Sequence, residues 1–297
     1  MQQRKVGQML MAGLFLAGYA ASANAATYYV ATWGSNGNNG SSGSPWRDIN
    51  FATTNSRLAD GDLILVNGGT YTENVYLTRK NWGSRITLRA NGSVTIKDPT
   101  PWSGNWQDGV IIGINARGWN IEGFRIEDAS WGGVTLRSCG AMTVSRVYTY
   151  RSGASGIIAM PNNVSTEGEA EMQSYDIKVL DCTIEEAQNR YEGGGDIGSQ
   201  EALSIWGVDG FEVARCKVFN GRTEGIDAKV GSRNGTIHHN EVYGMAQRSG
   251  LAGGSANGAR NGGPGIYLDG NRAAMSNIQV YNNRVHSNKA DAIAVAY

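Results

Sequence analysis

Apolar residues in the second half of the chain come in short alternating bursts, not at helical spacing. The segments at 119–128 (WNIEGFRIED), 175–187 (YDIKVLDCTIEEA), 210–220 (GFEVARCKVFN), 235–244 (GTIHHNEVYG) and 277–288 (NIQVYNNRVHSN) share one apolar pattern, and each reads as a short strand. Their common frame places Phe124, Cys182, Cys216, Asn240 and Asn283 at one position, as repeats stacked along an axis require. A second strand repeats between them at 132–138, 155–160, 201–207, 224–231, 264–270 and 291–297. Alternation sends Val134, Leu136, Ile157, Ala159, Leu203, Ile205, Ile226, Ala228, Ile266, Leu268, Ile293 and Val295 inward and their neighbours to solvent. Two or three short strands per turn, an irregular period and glycine at the corners predict an all-β, right-handed parallel β-helix.

Residues 26–118 are expected to hold the N-terminal cap and first coils, and 119–297 the regular coils. A moderately helical stretch around Asp48 to Leu58 is placed to cover the exposed end of the solenoid. The chain stops inside a strand-like segment, AIAVAY, which reads as a fragment's end. Residues 1–25 pair Arg4 and Lys5 with a short apolar run and a small-residue triplet ending at Ala25, the pattern of a cleaved secretory signal. A secreted or periplasmic monomer with no membrane span is expected.

Composition narrows the chemistry. The 42 glycines imply frequent turns, and 26 basic against 26 acidic residues leave no basic excess for nucleic acid. Cys139, Cys182 and Cys216 are odd in number and lack metal-ligand spacing, so they read as unpaired core residues.

Between inward Ile226 and Ala228, the side chains of Asp227 and Lys229 point outward, with Glu224 at the corner. The matching slots hold Glu201, Ser204 and Trp206 one coil earlier and Tyr267 and Asp269 one coil later. Two glycine-rich insertions, at 187–200 and 245–263, border this row; they carry Asp196, Arg248 and Arg260. Carboxylates, a lysine, aromatic rings and arginines suit an acidic polysaccharide, with Trp206, Tyr267, Asp269, His238 and Arg260 as expected substrate contacts. The corresponding chemistry is β-elimination: a base removes the proton at C5 of a uronate while a cation neutralises the adjacent carboxylate. Lys229 serves as that base if its pKa falls, and Glu201, Glu224, Asp227 and Asp196 offer hard oxygens for Ca²⁺. A glycoside hydrolase using paired carboxylates, or a noncatalytic carbohydrate-binding protein, are the alternatives.

The opening of the chain, YYV at 28–30 followed by GSNGNNGSSGSPWRDI at 34–49 and ADGDLILVNGGTYTENV at 59–75, resembles that of secreted bacterial right-handed β-helix proteins, including polysaccharide lyase families 6 and 9. The resemblance implies a polysaccharide lyase of the pectate, alginate or chondroitin type. Glu224 and Lys229 are similar to the calcium-binding glutamate and catalytic lysine of family 6, and Arg248 is the nearest match to its assisting arginine. In that family serine usually follows the lysine directly, whereas here Val230 and Gly231 precede Ser232, and the aspartate cluster of family 9 has no counterpart.

Overall fold

The computed structural model describes residues 25–99, 109–162, 174–188, 201–247, 263–270 and 273–296. Parallel strands stack into three faces of a β-helix. The first face runs from Val75–Leu77 through Ile111–Ile114, Val134–Arg137, Ile157–Met160, Leu203–Trp206, Ile226–Lys229 and Ile266–Asp269 to Ile293–Ala296. The second carries Arg117–Glu122, Gly140–Ser145, Ser174–Leu180, Val208–Ala214, Arg233–His238 and Ser276–Tyr281. The third carries three-residue strands such as Lys217–Phe219 and Glu241–Tyr243. The long strand Ile86–Lys97 spans two of these faces, pairing with Arg117–Glu122 near its start and Arg125–Glu127 at its end.

Side-chain alternation on the first face fills the interior as expected. Val134, Leu136, Leu203, Ile205, Ile226, Ala228 and Ile266 are fully buried. Ile293 and Val295, also expected inside, are 47% and 51% exposed, because among the described residues no further coil stacks on them.

The ladder at Cys182, Cys216, Asn240 and Asn283 is real. The Cys216 amide donates to Asn240 Oδ1 at 2.8 Å, and Asn240 Nδ2 donates to Asn283 Oδ1 at 2.9 Å and to the Val213 carbonyl at 3.0 Å. All three cysteines are free and buried, and burial pushes the Cys139 thiol up to about 12, which leaves it inert.

The corner between the second and third faces departs from the glycine expectation. Gly123 is followed in successive coils by Arg146, Asp181, Arg215, His239 and Asn282, all left-handed with φ between 53° and 56°. Each non-glycine costs about 1 kcal/mol there. Coil-to-coil hydrogen bonds, such as Arg146 N to Leu180 O and Asp181 N to Ala214 O, both 3.0 Å, offset that cost.

The cap helix is present but short, Ile49–Thr53. Its first amides donate to the Glu73 carboxylate at 2.9 and 2.8 Å, and Trp46 beside it is fully buried, stacked on Tyr28.

Candidate functional site

The first face brings the expected row together. Strand pairing sets Asp227 between Ser204 and Tyr267, and Lys229 between Trp206 and Asp269. At the strand entry, the Ala202 amide donates to the Glu224 carbonyl and the Leu203 amide to the Gly225 carbonyl, which stacks Glu201 against Glu224. Glu201, Glu224, Asp227 and Lys229 therefore occupy adjacent slots of two neighbouring coils.

The row points away from the β-helix interior, yet it is not a solvent face. Asp227 is 1% exposed, Trp206 3%, Glu201 6% and Lys229 8%. A second apolar cluster lies on this outer side: Trp131, Ala154, Ile158, Met160, Trp206 and Val230, with Ala273 against it. Alternation identifies the side of a strand but not what covers it, so the expected exposure of this row is corrected here.

Lys229 is gripped by its neighbour. Its Nζ donates to both carboxylate oxygens of Glu201 at 2.8 Å and sits 5.0 Å from the centre of the Trp206 ring. Burial alone would lower the lysine pKa, but Glu201, then Asp227 and Glu224, outweigh it, and the pKa is raised. The lowered pKa expected for a base at this position is not found in this arrangement. Lys229 is itself a cation, bonded to one of the two stacked glutamates, Glu201. Asp227 is also raised, but for a different cause: burial, then repulsion from Glu201, holds its pKa well above the ordinary carboxylate range despite the attraction of Lys229. Its Oδ1 is buried with no hydrogen-bond partner. Burial and then Glu201 raise Glu224 as well.

Further polar atoms line the same face without hydrogen bonds: Ser204 Oγ, Trp206 Nε1, Thr135 Oγ1 and Ser155 Oγ. The sequence reading passed over Thr135 and Ser155. Thr135 occupies the outward slot that Ser204 and Asp227 occupy in later coils, so the alignment itself held the signal. Val230, directly after Lys229, is a β-branched residue in the left-handed region with φ 47°, where the preceding coil has Gly207 at 64°. Such strain persists where packing enforces it, here within the outer apolar cluster.

The remaining expected residues divide in two. His238 belongs to the second face, stacked on Tyr281 at 4.8 Å with Glu212 3.3 Å from its Nε2, so it contributes nothing to the Lys229 row. Its ring also meets that of His239, Nδ1 to Nδ1 at 2.8 Å, because the left-handed turn at His239 undoes the alternation. Asp196, Arg248 and Arg260 lie outside the described residues. The donor types suit Ca²⁺, but both Glu201 oxygens are engaged by Lys229, and among the described residues no three Asp, Glu, His or Cys side chains form a metal group. As arranged, these residues do not fit the expected calcium.

A family model described as the right-handed β-helix region matches residues 108–297. Among solved structures, the chain is similar to the pectate lyase Pel9A, with a TM-score of 0.62 and 17% identity over 91% of this chain and 68% of that one. It is also similar to a rhamnogalacturonan lyase, with a TM-score of 0.51 and 14% identity over 90% of this chain and 64% of that one. A third match is the ORF18 protein of Geobacillus virus E2, with a TM-score of 0.56 and 13% identity over 82% of this chain and 44% of that one. Comparison with curated proteins finds no matching sequence.

Proposed function

The chain belongs to the right-handed β-helix family, and from that premise we propose that it is a carbohydrate-active enzyme that cleaves a uronate-containing polysaccharide by β-elimination, with Lys229 as the base. The observation that carries this reading is a lysine withdrawn from water on the outer row of the first face, bonded to Glu201 and beside the Trp206 ring, with Glu224 stacked on Glu201 at the strand entry. Two of the structures that share its fold are polysaccharide lyases.

In the step proposed, the neutral Lys229 amine takes the proton from C5 and the electron pair forms the C4=C5 double bond. The C4–O bond breaks, and the leaving oxygen takes the proton back from the Lys229 ammonium. No proton is gained or lost overall. Trp206 offers an indole N–H and a ring face beside Lys229, and Glu201 fixes the direction of the ammonium. Calcium is given no step, since both Glu201 oxygens that would hold it are engaged by Lys229. An exported location is part of the proposal and rests on the sequence pattern of residues 1–25; among the described residues no helix is long and apolar enough to cross a membrane.

One feature favours hydrolysis instead: burial and Glu201 raise the Asp227 pKa, the direction that suits the general acid of a glycosidase. The two readings give opposite pH slopes. A base whose pKa is raised becomes available only as pH climbs, so elimination should accelerate about tenfold per pH unit from neutral towards alkaline conditions. Hydrolysis through Asp227 should slow as its proton is lost. Measuring unsaturated-uronate absorbance and reducing ends together on pectate, alginate and glycosaminoglycans separates them. Absorbance rising with pH supports elimination; reducing ends without absorbance, falling with pH, would replace it with hydrolysis.

A further inference from the structure

A different corner of the solenoid presents a feature that the reaction row does not use. Trp82 is 75% exposed, the most exposed large hydrophobic side chain among the described residues. Its loop is pinned at both ends. The Asn81 amide donates to the Arg117 carbonyl at 2.9 Å and its side chain to the Gly118 carbonyl at 3.1 Å, while the Gly83 amide donates to the Asp60 carboxylate at 2.7 Å. Gly118, left-handed at φ 74°, admits this close approach: a Cβ there would stand 2.8 Å from the Asn81 carbonyl oxygen. The indole is therefore held outward by a fixed turn.

The guanidinium of Arg117 lies 4.0 Å from the Trp82 ring centre and 4.8 Å from that of Tyr175. Tyr175 reaches this position by lying across Gly140, where a Cβ would stand 2.2 Å from the tyrosine ring. Among the described residues no carboxylate pairs with Arg117, and Asp176, next to Tyr175, is already taken by Arg85 at 2.8 Å. Arg79 and Lys80 precede the same loop. The result is an open aromatic face beside a cation that two rings hold in place.

We propose that Trp82, Arg117 and Tyr175 form a binding platform for an acidic polysaccharide, separate from the Lys229 row: the indole face packs on a pyranose ring while Arg117 pairs with a uronate carboxylate. The uronate class rests on the elimination reading, but the platform itself rests on its own geometry. The Arg117 strand lies four coils before the one that follows Lys229, about 19 Å along the axis at the usual strand spacing. One polysaccharide chain several sugars long can span both.

The test is affinity electrophoresis through gels containing pectate, alginate or a neutral glucan, using the Lys229→Met/Glu201→Gln protein, which strands no buried charge and consumes no substrate. That protein should be retarded in an acidic gel and not in the neutral one. Adding Trp82→Ala or Arg117→Gln should weaken retardation at least ~10-fold, as loss of a stacking or bidentate anchor does, with circular dichroism and melting temperature unchanged. Equal retardation with and without Trp82, stronger retardation by the neutral glucan, or none in any acidic gel would overturn the platform. Trp82-dependent retardation, with wild-type protein that produces no unsaturated uronate from any of these acidic polymers, would sink the elimination reading and leave the platform standing.

Discussion

At the scale of single residues, two buried groups on one strand, Lys229 and Asp227, both have raised pKa values for different causes. Glu201 is the largest influence holding the proton on Lys229, so Glu201→Gln should lower the lysine pKa and shift the rate–pH profile towards neutrality. The same change breaks a buried ion pair and should cost about 3 kcal/mol, read by urea denaturation. An unshifted profile in a folded protein would mean that Lys229 is not the titrating base. Asp227 carries a linked prediction. Its folded pKa is raised, so the native state keeps a proton that the unfolded chain releases above 3.8, and wild-type stability should fall as pH rises from there towards the folded value. Asp227→Asn cannot ionise; its stability should be flatter over that range and higher than wild type at neutral pH, checked by melting temperature against pH. The outward direction of these residues was legible in the sequence because alternation around Ile226 and Ala228 forces it. Their burial and the sign of the lysine shift were not, because both depend on what packs over the strand and on which carboxylate stands within reach.

At the scale of strands and coils, the repeat frame identified both strand families and the Cys–Asn ladder. It missed the coil strands Gly140–Ser145 and Tyr148–Tyr150, although Met142, Val144 and Val147 keep the buried apolar slots; only Thr149, where the neighbouring coils have Ile126 and Ile184, departs from the pattern. It also assigned glycine to a corner that arginine, aspartate, histidine and asparagine build, since hydrogen bonding between coils can hold a left-handed backbone that local preference disfavours. The Asn240 rung offers a direct check. Asn240→Ala removes the acceptor for the Cys216 amide and the donor to the Val213 carbonyl, both buried, and should cost about 2–4 kcal/mol in chemical denaturation. A loss below ~0.5 kcal/mol would show that the ladder only decorates the corner.

At the scale of the whole molecule, a parallel β-helix displays side chains in fixed rows, so residues from separate coils meet without any loop to position them. That regularity made the fold readable from the chain, and it sets the acidic Lys229 row on one face and the basic aromatic platform near Trp82 on the adjoining corner. His238 shows where such reading fails: the repeat frame set 235–244 apart from the strand that carries Lys229, and the structure keeps it on the second face, so grouping it with the substrate contacts of that row overlooked the frame itself. The central claim is that Lys229 removes the C5 proton. The most direct test is the initial rate of absorbance increase from the new C4=C5 bond, compared between wild type and a Lys229→Met/Glu201→Gln double variant, in which both halves of the buried pair are removed so that neither charge is stranded. The double variant should be folded and at least ~100-fold slower on a substrate that the wild type cleaves; a folded double variant eliminating at near the wild-type rate would contradict the assignment.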